Sequence, residues 1–592
     1  MARRRDRVLL AQLPIPPVGP GPIKGNVPLA AAYLALYAQN HDAAPAGGIE
    51  ILAPESANTL SDAGLADEIL GRAPDLVGLS CYVWNSARTL DLARALKARD
   101  PGIAIAIGGP EVTPDNRWLL DDPAIDYAVM GEGEQTFAAL LASREDAPEI
   151  DGLFVRGKAP VRTRKPLADL SEVGSPYLAG ILDARDERMM LVESMRGCAF
   201  ACKFCYYPKS YDKVYSLPDA LLAQQLAHAR ARDAREVILL DPTLNQRRDF
   251  GELVRVLASA NPDRRFTYFG ELRAEGLTPA IAQALHAAGF DAVEVGLQSV
   301  EPVAQKLMDR STYMKAYERG IAALLDAGIA VTVDLIVGLP GDTVDSIRRG
   351  FDYLAGSKLY TDVQVFQLAV LPGTAFRHEA QALGLVHQPT PPYYCTASPT
   401  LSLDQIVGLV DEAQGVFDRE FDPLPPPVLD SMAGSPGPLR LWRVDLDRDP
   451  VPPEPARHAQ AFVLWMRTVD LARSLDRACA LVRAVLAACP HTTLELVLDL
   501  DPAPAHIDPA WLDRLLAAAT ETPSYLDRFY ALLTGRAIGA KRIVLRLPGA
   551  HRARWTDDEL AVLGERATFA WTRPLAVSED ELWSFEHVCP SE

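Results

Sequence analysis

Short apolar runs alternate with longer amphipathic stretches through roughly the first 155 residues of the chain. The runs that fit buried strands span residues 8–13, 48–52, 76–80, 104–107 and 127–130. Stretches with helical spacing of apolar residues lie between them, at 28–37, 60–70, 87–98 and 135–141. This order predicts a doubly wound parallel sheet, a fold that binds ligands beyond the carboxyl ends of its strands.

The alternation resumes at Glu187 with longer units. Candidate strands span residues 189–193, 236–240, 266–270, 292–296, 331–337 and 363–370. Strands that alternate with helices in this way predict a barrel of parallel strands, whose polar site residues gather at the strand ends. A linker with several prolines, at 158–186, joins the two regions.

Proline-rich pieces at 388–399, 423–428 and 451–455 divide the rest of the chain into small segments. Candidate strands lie at 439–444, 494–498 and 542–547. Residues 456–488 predict one or two amphipathic helices, with Leu464, Trp465, Val469 and Leu471 on apolar faces. We therefore expect a Rossmann-like domain at 1–157, the linker at 158–186, the barrel at 187–395, and an α+β domain at 396–592 that caps the barrel and supplies the substrate pocket.

The chain is acidic, with a formal net charge of −19 over 592 residues and a pI near 5.1. Because binding to nucleic-acid phosphates needs clustered Lys and Arg, we expect a small-molecule substrate and no nucleic-acid partner. The basic start at residues 1–7 precedes an apolar run that ends at residue 13, which is too short for a signal peptide or a membrane span. We therefore expect a cytoplasmic monomer with no membrane partner.

Three cysteines, Cys198, Cys202 and Cys205, lie within eight residues after the first barrel strand. Three thiolates can hold a [4Fe-4S] cube while one iron keeps no protein ligand, and that open iron is a binding site. Zinc would need a fourth ligand nearby, and none follows at finger spacing. A disulfide framework is disfavoured because the other five of the eight cysteines are scattered.

The spacing Cys198-x3-Cys202-x-Phe204-Cys205 resembles the motif of radical S-adenosylmethionine (SAM) enzymes. In that family the open iron chelates the amino and carboxylate groups of SAM. The resemblance implies a [4Fe-4S] cluster on the three cysteines, SAM bound near Phe204, and a partial (βα)6 barrel formed by the six candidate strands.

Glycines and polar residues recur at the strand ends of the first region. The segments 78–85, 108–111 and 131–134 together resemble the cobalamin-binding domain that precedes many radical SAM domains. The resemblance implies cobalamin contacts from Tyr82, Val83, Trp84, Asn85, Gly108, Gly109, Pro110, Glu111, Gly131, Glu132 and Gly133. Domains that ligate cobalt through His use Asp-x-His-x-x-Gly, whereas the only His before Cys198 is His41, outside such a motif. We therefore expect base-off cobalamin without a His ligand, its lower face covered by the 82–85 loop or its neighbours.

Polar residues and glycines at the barrel strand ends supply candidate contacts to SAM. By residue type, we expect close approach to the adenosine at Gly338 and Gly341, contacts to ribose or carboxylate from Gln298 and Ser299, and contacts to the ammonium from Asp241 or Thr243. Polar residues at strand ends can instead cap the helices that follow.

Glu271 follows a strand of aromatic and small residues, so its carboxylate is expected in the mouth of the barrel. There it can orient SAM, reach the open iron, or form a buried ion pair with Arg273. Tyr313 and Asp334 are further candidates for a base that removes a substrate proton.

The cysteine count argues against relatives with additional clusters, because the first region has only Cys81, and Cys395, Cys479, Cys489 and Cys589 are isolated. What remains resembles the cobalamin-dependent radical SAM methyltransferases. The overall plan, together with Glu271, resembles those that methylate C2 of tryptophan in thiopeptide antibiotic biosynthesis.

Two routes for the methyl group stay open. In a polar route, the methyl passes from SAM through cob(I)alamin and methylcobalamin to a nucleophilic aromatic carbon, and an external electron donor is needed to reduce cob(II)alamin. In a radical route, a 5′-deoxyadenosyl radical first abstracts hydrogen from an unactivated sp3 carbon, which is then methylated or rearranged. A cobalamin-binding sensor without catalysis is the alternative from another functional class.

Overall fold

The computed structural model describes residues 5–16, 23–158, 162–211, 213–423, 439–448, 461–500, 503–533, 540–572 and 586–589. The proline-rich piece expected at 451–455 and most of the one expected at 423–428 lie outside these residues. So does the start of the helical stretch expected at 456–488. No helix of the described chain is both long and apolar enough to cross a membrane.

The first domain is the doubly wound sheet that the apolar pattern predicts. Its strands are β1 (Val8–Gln12), β2 (Ile49–Ile51), β3 (Leu76–Ser80), β4 (Ala104–Gly108), β5 (Tyr127–Val129) and β6 (Leu153–Val155). Its helices are α1 (Leu29–Asn40), α2 (Pro54–Thr59), α3 (Asp62–Gly71), α4 (Ser86–Arg99), α5 (Arg117–Leu120) and α6 (Glu134–Ala142). The strand order is β2-β1-β3-β4-β5-β6, with only β6 antiparallel. Helices cover both faces, which is why these strands read as continuous apolar runs.

The second domain is the predicted barrel. Its strands are β7 (Met189–Val192), β8 (Met195–Arg196), β9 (Tyr215–Ser216), β10 (Glu236–Leu239), β11 (Thr267–Phe269), β12 (Ala292–Gln298), β13 (Ala330–Val337) and β14 (Asp362–Gln367). Its helices are α7 (Tyr207–Ser210), α8 (Asp219–Ala231), α9 (Phe250–Ala260), α10 (Pro279–Ala288), α11 (Pro302–Leu307), α12 (Met314–Asp326), α13 (Val344–Ser357) and α14 (Ala375–Leu383).

Six of these strands run parallel in the order β7-β10-β11-β12-β13-β14. Two bridges, Tyr268 with Phe290 and Glu271 with Glu294, join β11 to β12 and so connect the two halves of the barrel wall. The short strands β8 and β9 pair antiparallel and enclose the cysteine loop between them. The six predicted strands are confirmed.

The barrel domain continues past the expected boundary at residue 395. After the antiparallel pair β15 (Val386–His387) and β16 (Cys395–Ala397), helix α15 (Leu403–Phe417) packs on the barrel. Its residues Ile406, Leu409 and Val410 belong to the same apolar core as the barrel strands. The boundary was not visible in the pattern because α15 has an ordinary amphipathic sequence that fits either domain.

The last domain is a parallel α/β sheet rather than the expected α+β fold. Strands β17 (Leu439–Asp445), β18 (Ala461–Arg467), β19 (Thr493–Asp499), β20 (Lys541–Pro548), β21 (Ala567–Thr572) and β22 (Glu586–Cys589) pair in chain order, all parallel. The helices are α16 (Leu471–Ala488), α17 (Pro509–Thr520), α18 (Tyr525–Leu533) and α19 (Asp557–Gly564).

The apolar run before α16 explains this correction. Residues 461–466 are buried on both faces of the sheet, with Leu464 on the helix side and Trp465 on the other. A short continuous apolar run fits a buried strand and a buried helix equally well. The helix begins only at Leu471, after Asp470 accepts a hydrogen bond from the Arg473 backbone N–H.

The last domain contacts both of the others. His491 Nε2 lies 2.7 Å from an Asp91 carboxylate oxygen on α4 of the first domain. Arg528 Nε donates to the Pro391 carbonyl oxygen, between β15 and β16, at 2.6 Å. These contacts seat the domain across the junction of the sheet and the barrel.

Candidate functional site

A cavity of about 580 Å³ lies where the carboxyl ends of the first-domain strands meet the barrel. Eight of the predicted cobalamin contacts line it: Tyr82, Trp84, Gly108, Gly109, Pro110, Gly131, Glu132 and Gly133. The barrel contributes Leu191, Glu193, Arg196, Tyr207 and Tyr211 to the opposite wall. A flat ligand bound on the strand ends would therefore face the barrel directly.

Tyr82 and Trp84 form a stacked pair in the cavity wall, with ring centroids 4.7 Å apart and ring planes 3° from parallel. Asn85 shapes this loop: its Oδ1 accepts from the Tyr82 N–H at 2.8 Å and its Nδ2 donates to the Leu13 carbonyl oxygen at 2.9 Å. Because Asn85 is fully buried and so engaged, its expected contact to cobalamin is corrected to a role in loop shape. Val83 is also not among the described residues that line the cavity. The flat aromatic pair remains a suitable wall for a corrin ring.

Two glycines permit the close approach that a flat cofactor needs. Gly109 has φ of +114°, and a Cβ there would stand 2.6 Å from the Cys81 carbonyl oxygen, so no side chain fits. Gly131 has φ of +74°, and its Cβ position has no atom within 4 Å, so it faces open space. Both observations fit the predicted cobalamin site.

Glu111 lies at the interface between the first domain and the barrel rather than in the cavity wall. Its Oε2 accepts from the Tyr393 hydroxyl at 2.6 Å, and its side chain is almost fully buried. Desolvation raises the pKa of Glu111 to about 7, although the hydrogen bond from Tyr393 opposes this. Its predicted cofactor contact is therefore corrected to a domain contact.

A buried ion-pair network joins the two domains at the cavity wall. Arg196 Nη1 lies 3.2 Å from Glu132 Oε1, and its Nη2 lies 2.8 Å from Glu134 and 2.9 Å from Glu193. The guanidinium also stands 5.5 Å from the centre of the Tyr33 ring. The side chains of Arg196, Glu132 and Glu134 are each 8% exposed or less. Because they are buried, removing one of them would leave the opposite charge without its partner and away from water. Since Arg196 is two residues before Cys198, the network ties the cavity wall to the cysteine loop.

Asp241 anchors the start of the cysteine loop. Its Oδ1 accepts the backbone N–H groups of Ser194 and Met195 at 2.9 and 2.6 Å, and its Oδ2 accepts the Ser194 hydroxyl at 2.7 Å. These bonds give Asp241 a role in positioning the loop, and its contact to the SAM ammonium stays a prediction. Gly197 follows with φ of +87°, and a Cβ there would stand 2.3 Å from the Lys213 carbonyl oxygen. Only glycine lets the chain turn into the loop beside β9.

The three cysteines are close neighbours at the barrel mouth. Burial raises the pKa of Cys205 to about 11, and the charges of Cys202, Cys198 and Glu271 add to this. Thr243 Oγ1 lies 3.8 Å from Cys198 Sγ, at the predicted strand end. Within the described residues, no three His, Cys, Asp or Glu side chains converge on a single metal ion. A [4Fe-4S] cube binds each thiolate through a different iron, so its three thiolates do not converge on a single metal ion either.

Carboxylates from three neighbouring strands meet inside the barrel. Glu294 on β12 and Asp334 on β13 lie on the inward strand faces, and Glu271 forms a bridge with Glu294. Desolvation is the main cause that raises the pKa of Glu271 to about 7, and the charge of Glu294 adds to it. The same two causes hold the pKa of Asp334 well above its ordinary value. Arg310 lowers both. Carboxyl groups that titrate near or above neutral pH can accept or release a proton during a reaction.

The buried ion pair between Glu271 and Arg273 is not formed among the described residues. Arg273 pairs with Glu275 at 2.9 Å, donates to the Ser311 carbonyl oxygen at 2.9 Å, and stacks 4.2 Å from the centre of the Phe200 ring. Glu271 instead faces the open interior of the mouth, where the walls restrict its hydration. Its carboxylate is therefore available to a ligand.

Several buried polar atoms of the barrel have no hydrogen-bond partner in the part of the chain that the structure describes. They are Gln298 Oε1, Arg310 Nε, Tyr317 Oη and Asp334 Oδ1. Such atoms cost free energy unless a ligand or water satisfies them, so they indicate a site for a polar ligand. The amino-acid end of SAM is a ligand of this kind, and Gln298 remains a candidate contact to it.

Three further residues that the sequence predicts to contact SAM, namely Ser299, Gly338 and Phe204, make contacts within the barrel. The Ser299 hydroxyl donates to Asp342 at 3.2 Å and accepts from the Glu301 N–H at 3.1 Å, which ties it to the start of α11, and its contact to SAM stays a prediction. Gly338 turns the chain after β13 with φ of +99°. Phe204 packs against an apolar cluster that includes Leu339.

Tyr313 does not join the interior carboxylates. It is 69% exposed at the start of α12, a position that does not favour a base enclosed with its substrate. Glu294, by contrast, lies inside the barrel, although the sequence placed it only among the polar residues at the strand ends and indicated no role for it. The alternation Val293-Glu294-Val295 on a strand was the available signal. Arg310 had no signal, because a loop brings it to the site.

Two family models match the chain, in chain order. The B12 binding domain matches residues 27–141, and the radical SAM superfamily matches residues 192–354.

Curated relatives match more than half of the chain. The chain is 28% identical over 378 residues to 2-(S-pantetheinyl)-carbapenam-3-carboxylate methyltransferase of Streptantibioticus cattleyicolor. This alignment covers 58% of this chain and 54% of that protein. It is 29% identical over 337 residues to the cobalamin-dependent radical SAM methyltransferase TokK of Streptomyces tokunonensis. This alignment covers 52% of this chain and 48% of TokK. The chain thus spans about half the length of these curated relatives.

A solved structure shares the fold. The radical SAM methyltransferase TsrM from Kitasatospora setae, with tryptophan and a SAM analogue bound, superposes with a TM-score of 0.55 at 18% identity. The superposition covers 69% of this chain and 89% of TsrM.

Proposed function

We propose that this chain, which combines a B12-binding domain with a radical SAM domain that holds a [4Fe-4S] cluster and SAM, is a cobalamin-dependent methyltransferase acting on carbon of a small molecule. The observation that carries the proposal is the shared wall between the two cofactor sites. Arg196 and Tyr207, which flank the cysteine motif, line the same cavity as Glu132 and Gly133 of the first domain. A methyl group that leaves SAM at the barrel mouth therefore has a short way to a corrin ring in the cavity.

The cofactors would supply distinct chemistry, cobalamin relaying the methyl group and the cluster binding SAM. The chain's own residues position them. Tyr82 and Trp84 form a flat wall for the corrin, Asp241 fixes the cysteine loop, and the unpaired Gln298 Oε1 receives the polar end of SAM. The proposal also requires an electron donor outside the chain to reduce cobalamin.

We infer an electron-rich aromatic carbon, with C2 of tryptophan as the best candidate, for the methyl acceptor. The support is Glu271, whose carboxylate has no ion pair with Arg273 among the described residues and whose charge raises the pKa of Cys205. A carboxylate that reaches the open iron would prevent bidentate chelation of SAM and so suppress reductive cleavage of its sulfonium. SAM would then serve as a methyl electrophile, which suits an acceptor that needs no hydrogen abstraction. Tryptophan bound to TsrM, a protein of the same fold, is consistent with this acceptor.

A radical route is the second candidate, because the relative in Streptantibioticus cattleyicolor is named for a carbapenam acceptor, which is not an aromatic ring. In that case Glu271 would orient SAM rather than occupy the iron. The two routes differ in what SAM becomes. The polar route yields S-adenosylhomocysteine alone, and the radical route yields 5′-deoxyadenosine as well.

Glu271→Ala, with Glu294→Ala as matched control, tests the role of Glu271. Both variants remove one carboxylate from the barrel interior, and the charge of Glu271 is one of those that raise the pKa of Cys205. We expect the reduced, reconstituted Glu271→Ala enzyme to form several-fold more 5′-deoxyadenosine than wild type, and the Glu294→Ala enzyme to stay at the wild-type level. Equal 5′-deoxyadenosine from wild type and Glu271→Ala would reject the proposed role of Glu271 in suppressing SAM cleavage, and a screen of aromatic acceptors with methyl-labelled SAM would test the acceptor.

A further inference from the structure

Arg310 lies in the short connection between α11 and α12, and this connection packs on the cysteine loop. The Lys203 backbone N–H donates to the Met308 carbonyl oxygen at 2.9 Å, which holds the two segments side by side. The Arg310 backbone N–H donates to the Gln305 carbonyl oxygen at 2.9 Å, which fixes where the side chain leaves the backbone. These bonds place the guanidinium next to Cys202, the central cysteine of the motif.

The guanidinium is held in one orientation. Its Nη2 donates to the Gly296 carbonyl oxygen at 2.5 Å, and its Nη1 lies 3.9 Å from Cys202 Sγ, within reach of a hydrogen bond to sulfur. Glycine at 296 is part of this arrangement, because a Cβ there would stand 3.1 Å from Arg310 Nη2. The planar fork of arginine directs one donor to the strand and another to the thiol, which lysine cannot do.

Arg310 is also the cation that offsets the interior carboxylates. Its charge lowers the pKa values of Glu271 and Asp334, which desolvation otherwise raises. A cluster held by three thiolates would add further negative charge at the same place, and more on reduction. A fixed positive charge there favours the reduced form.

We propose that Arg310 is a positioning residue for the cluster, which donates a hydrogen bond to the Cys202 thiolate and raises the reduction potential of the [4Fe-4S] cube. Hydrogen bonds to the sulfurs and local charge are two of the factors that set such potentials. The inference rests on the cluster and not on methyl transfer, so it can hold even if the proposed reaction fails.

The test is the midpoint potential of the reconstituted cluster, measured by redox titration with electron paramagnetic resonance (EPR) detection. We expect Arg310→Met to shift the potential to a more negative value, and Arg310→Lys to shift it less, because lysine keeps the charge but not the planar fork that fixes a donor on Cys202. Arg273→Met is the matched control. Arg273 stacks on Phe200 of the cysteine loop, and among the described residues it makes no hydrogen bond to a cysteine. Its potential should stay at the wild-type value.

Iron and sulfide content, measured in every sample, separate a change of potential from a loss of cluster. An unchanged potential in Arg310→Met with full iron content would overturn the proposal. So would an equal shift in Arg273→Met, because it would show a general effect of charge near the loop. If Arg310→Met fails to assemble the cluster, Arg310→Lys decides: a more negative potential supports the proposal and an unchanged one overturns it.

Discussion

Arg196 Nη2 lies 2.8 Å from a carboxylate oxygen of Glu134, and this pair joins the cobalamin-binding domain to the cysteine loop of the barrel. Glu134 begins helix α6 directly after the Gly131-Glu132-Gly133 strand end, whereas Arg196 ends β8 just before Gly197 and Cys198. The network around Arg196 therefore acts on both cofactor sites.

Replacement of Arg196 should weaken cobalamin binding. Arg196→Met would leave buried carboxylates without their cation, and breaking a buried ion pair costs about 3–5 kcal/mol. We expect at least a tenfold loss of cobalamin affinity, measured by equilibrium titration of the apoprotein. Arg88→Met is the control. Arg88 forms a buried ion pair with Asp62 within the cobalamin-binding domain, but it is not among the described residues that line the cavity. An equal loss in both variants would mean that stability alone is affected.

The contact between Glu111 and Tyr393 predicts a pH dependence of stability. The pKa of Glu111 in the folded protein is about 7, above its ordinary value of 4.5, so the folded state holds the proton more tightly. The stabilisation is complete below the ordinary pKa and is lost as the pH rises through 7. Glu111→Gln keeps a neutral acceptor at every pH. It should be close to wild type at pH 5 and more stable at pH 8, by on the order of 3 kcal/mol at most.

Denaturant unfolding of both proteins from pH 5 to pH 8 measures this difference. The comparison isolates Glu111, because every other titrating group is shared. A constant difference across the range would show that Glu111 titrates alike in the folded and unfolded states.

Cobalamin should bind without an imidazole ligand. None of the described residues that line the cavity is a histidine, and His41 stacks on Tyr37 of α1 instead. We expect the EPR spectrum of bound cob(II)alamin to lack nitrogen superhyperfine splitting. Splitting from one nitrogen would show an axial nitrogen ligand, either a histidine or the cofactor's own dimethylbenzimidazole, and would contradict base-off binding without a histidine.

The two cofactor sites should be separable by mutation. Replacing Cys198, Cys202 and Cys205 together with Ala removes the cluster ligands but leaves the Tyr82–Trp84 wall and Gly131 unchanged. We expect less than a tenth of the wild-type iron and sulfide, with cobalamin binding retained. Four irons per chain in the triple variant would show that the cluster lies elsewhere.

Much of the fold could be predicted from apolar periodicity, because the strands of the first two domains are buried under helices and read as short apolar runs. The same rule failed at residues 461–466, where one continuous run fits a helix or a strand. The end of the barrel was also misplaced, since the amphipathic helix α15 carries no mark of the core it packs on.

The candidate site was predictable where a motif fixes chemistry to residue type. Cys198, Cys202 and Cys205 come from such a spacing, and the glycines at 109 and 131 from the backbone freedom that strand ends require. Asn85, Asp241 and Ser299 have the right chemistry for ligands, but their hydrogen bonds are used within the protein. Which polar residue at a strand end is free depends on tertiary partners, and a sequence does not show them. For the same reason Arg196 and Arg310 emerged only from the structure.

The fate of SAM during turnover tests the central proposal most directly. The enzyme, reconstituted with cobalamin and iron–sulfur cluster and supplied with a reductant, is incubated with methyl-labelled SAM and tryptophan. The account predicts labelled 2-methyltryptophan and S-adenosylhomocysteine in equal amounts, with no stoichiometric 5′-deoxyadenosine. One 5′-deoxyadenosine per methyl group transferred would contradict the polar route, and no labelled product from any aromatic acceptor would contradict the proposed class of acceptor.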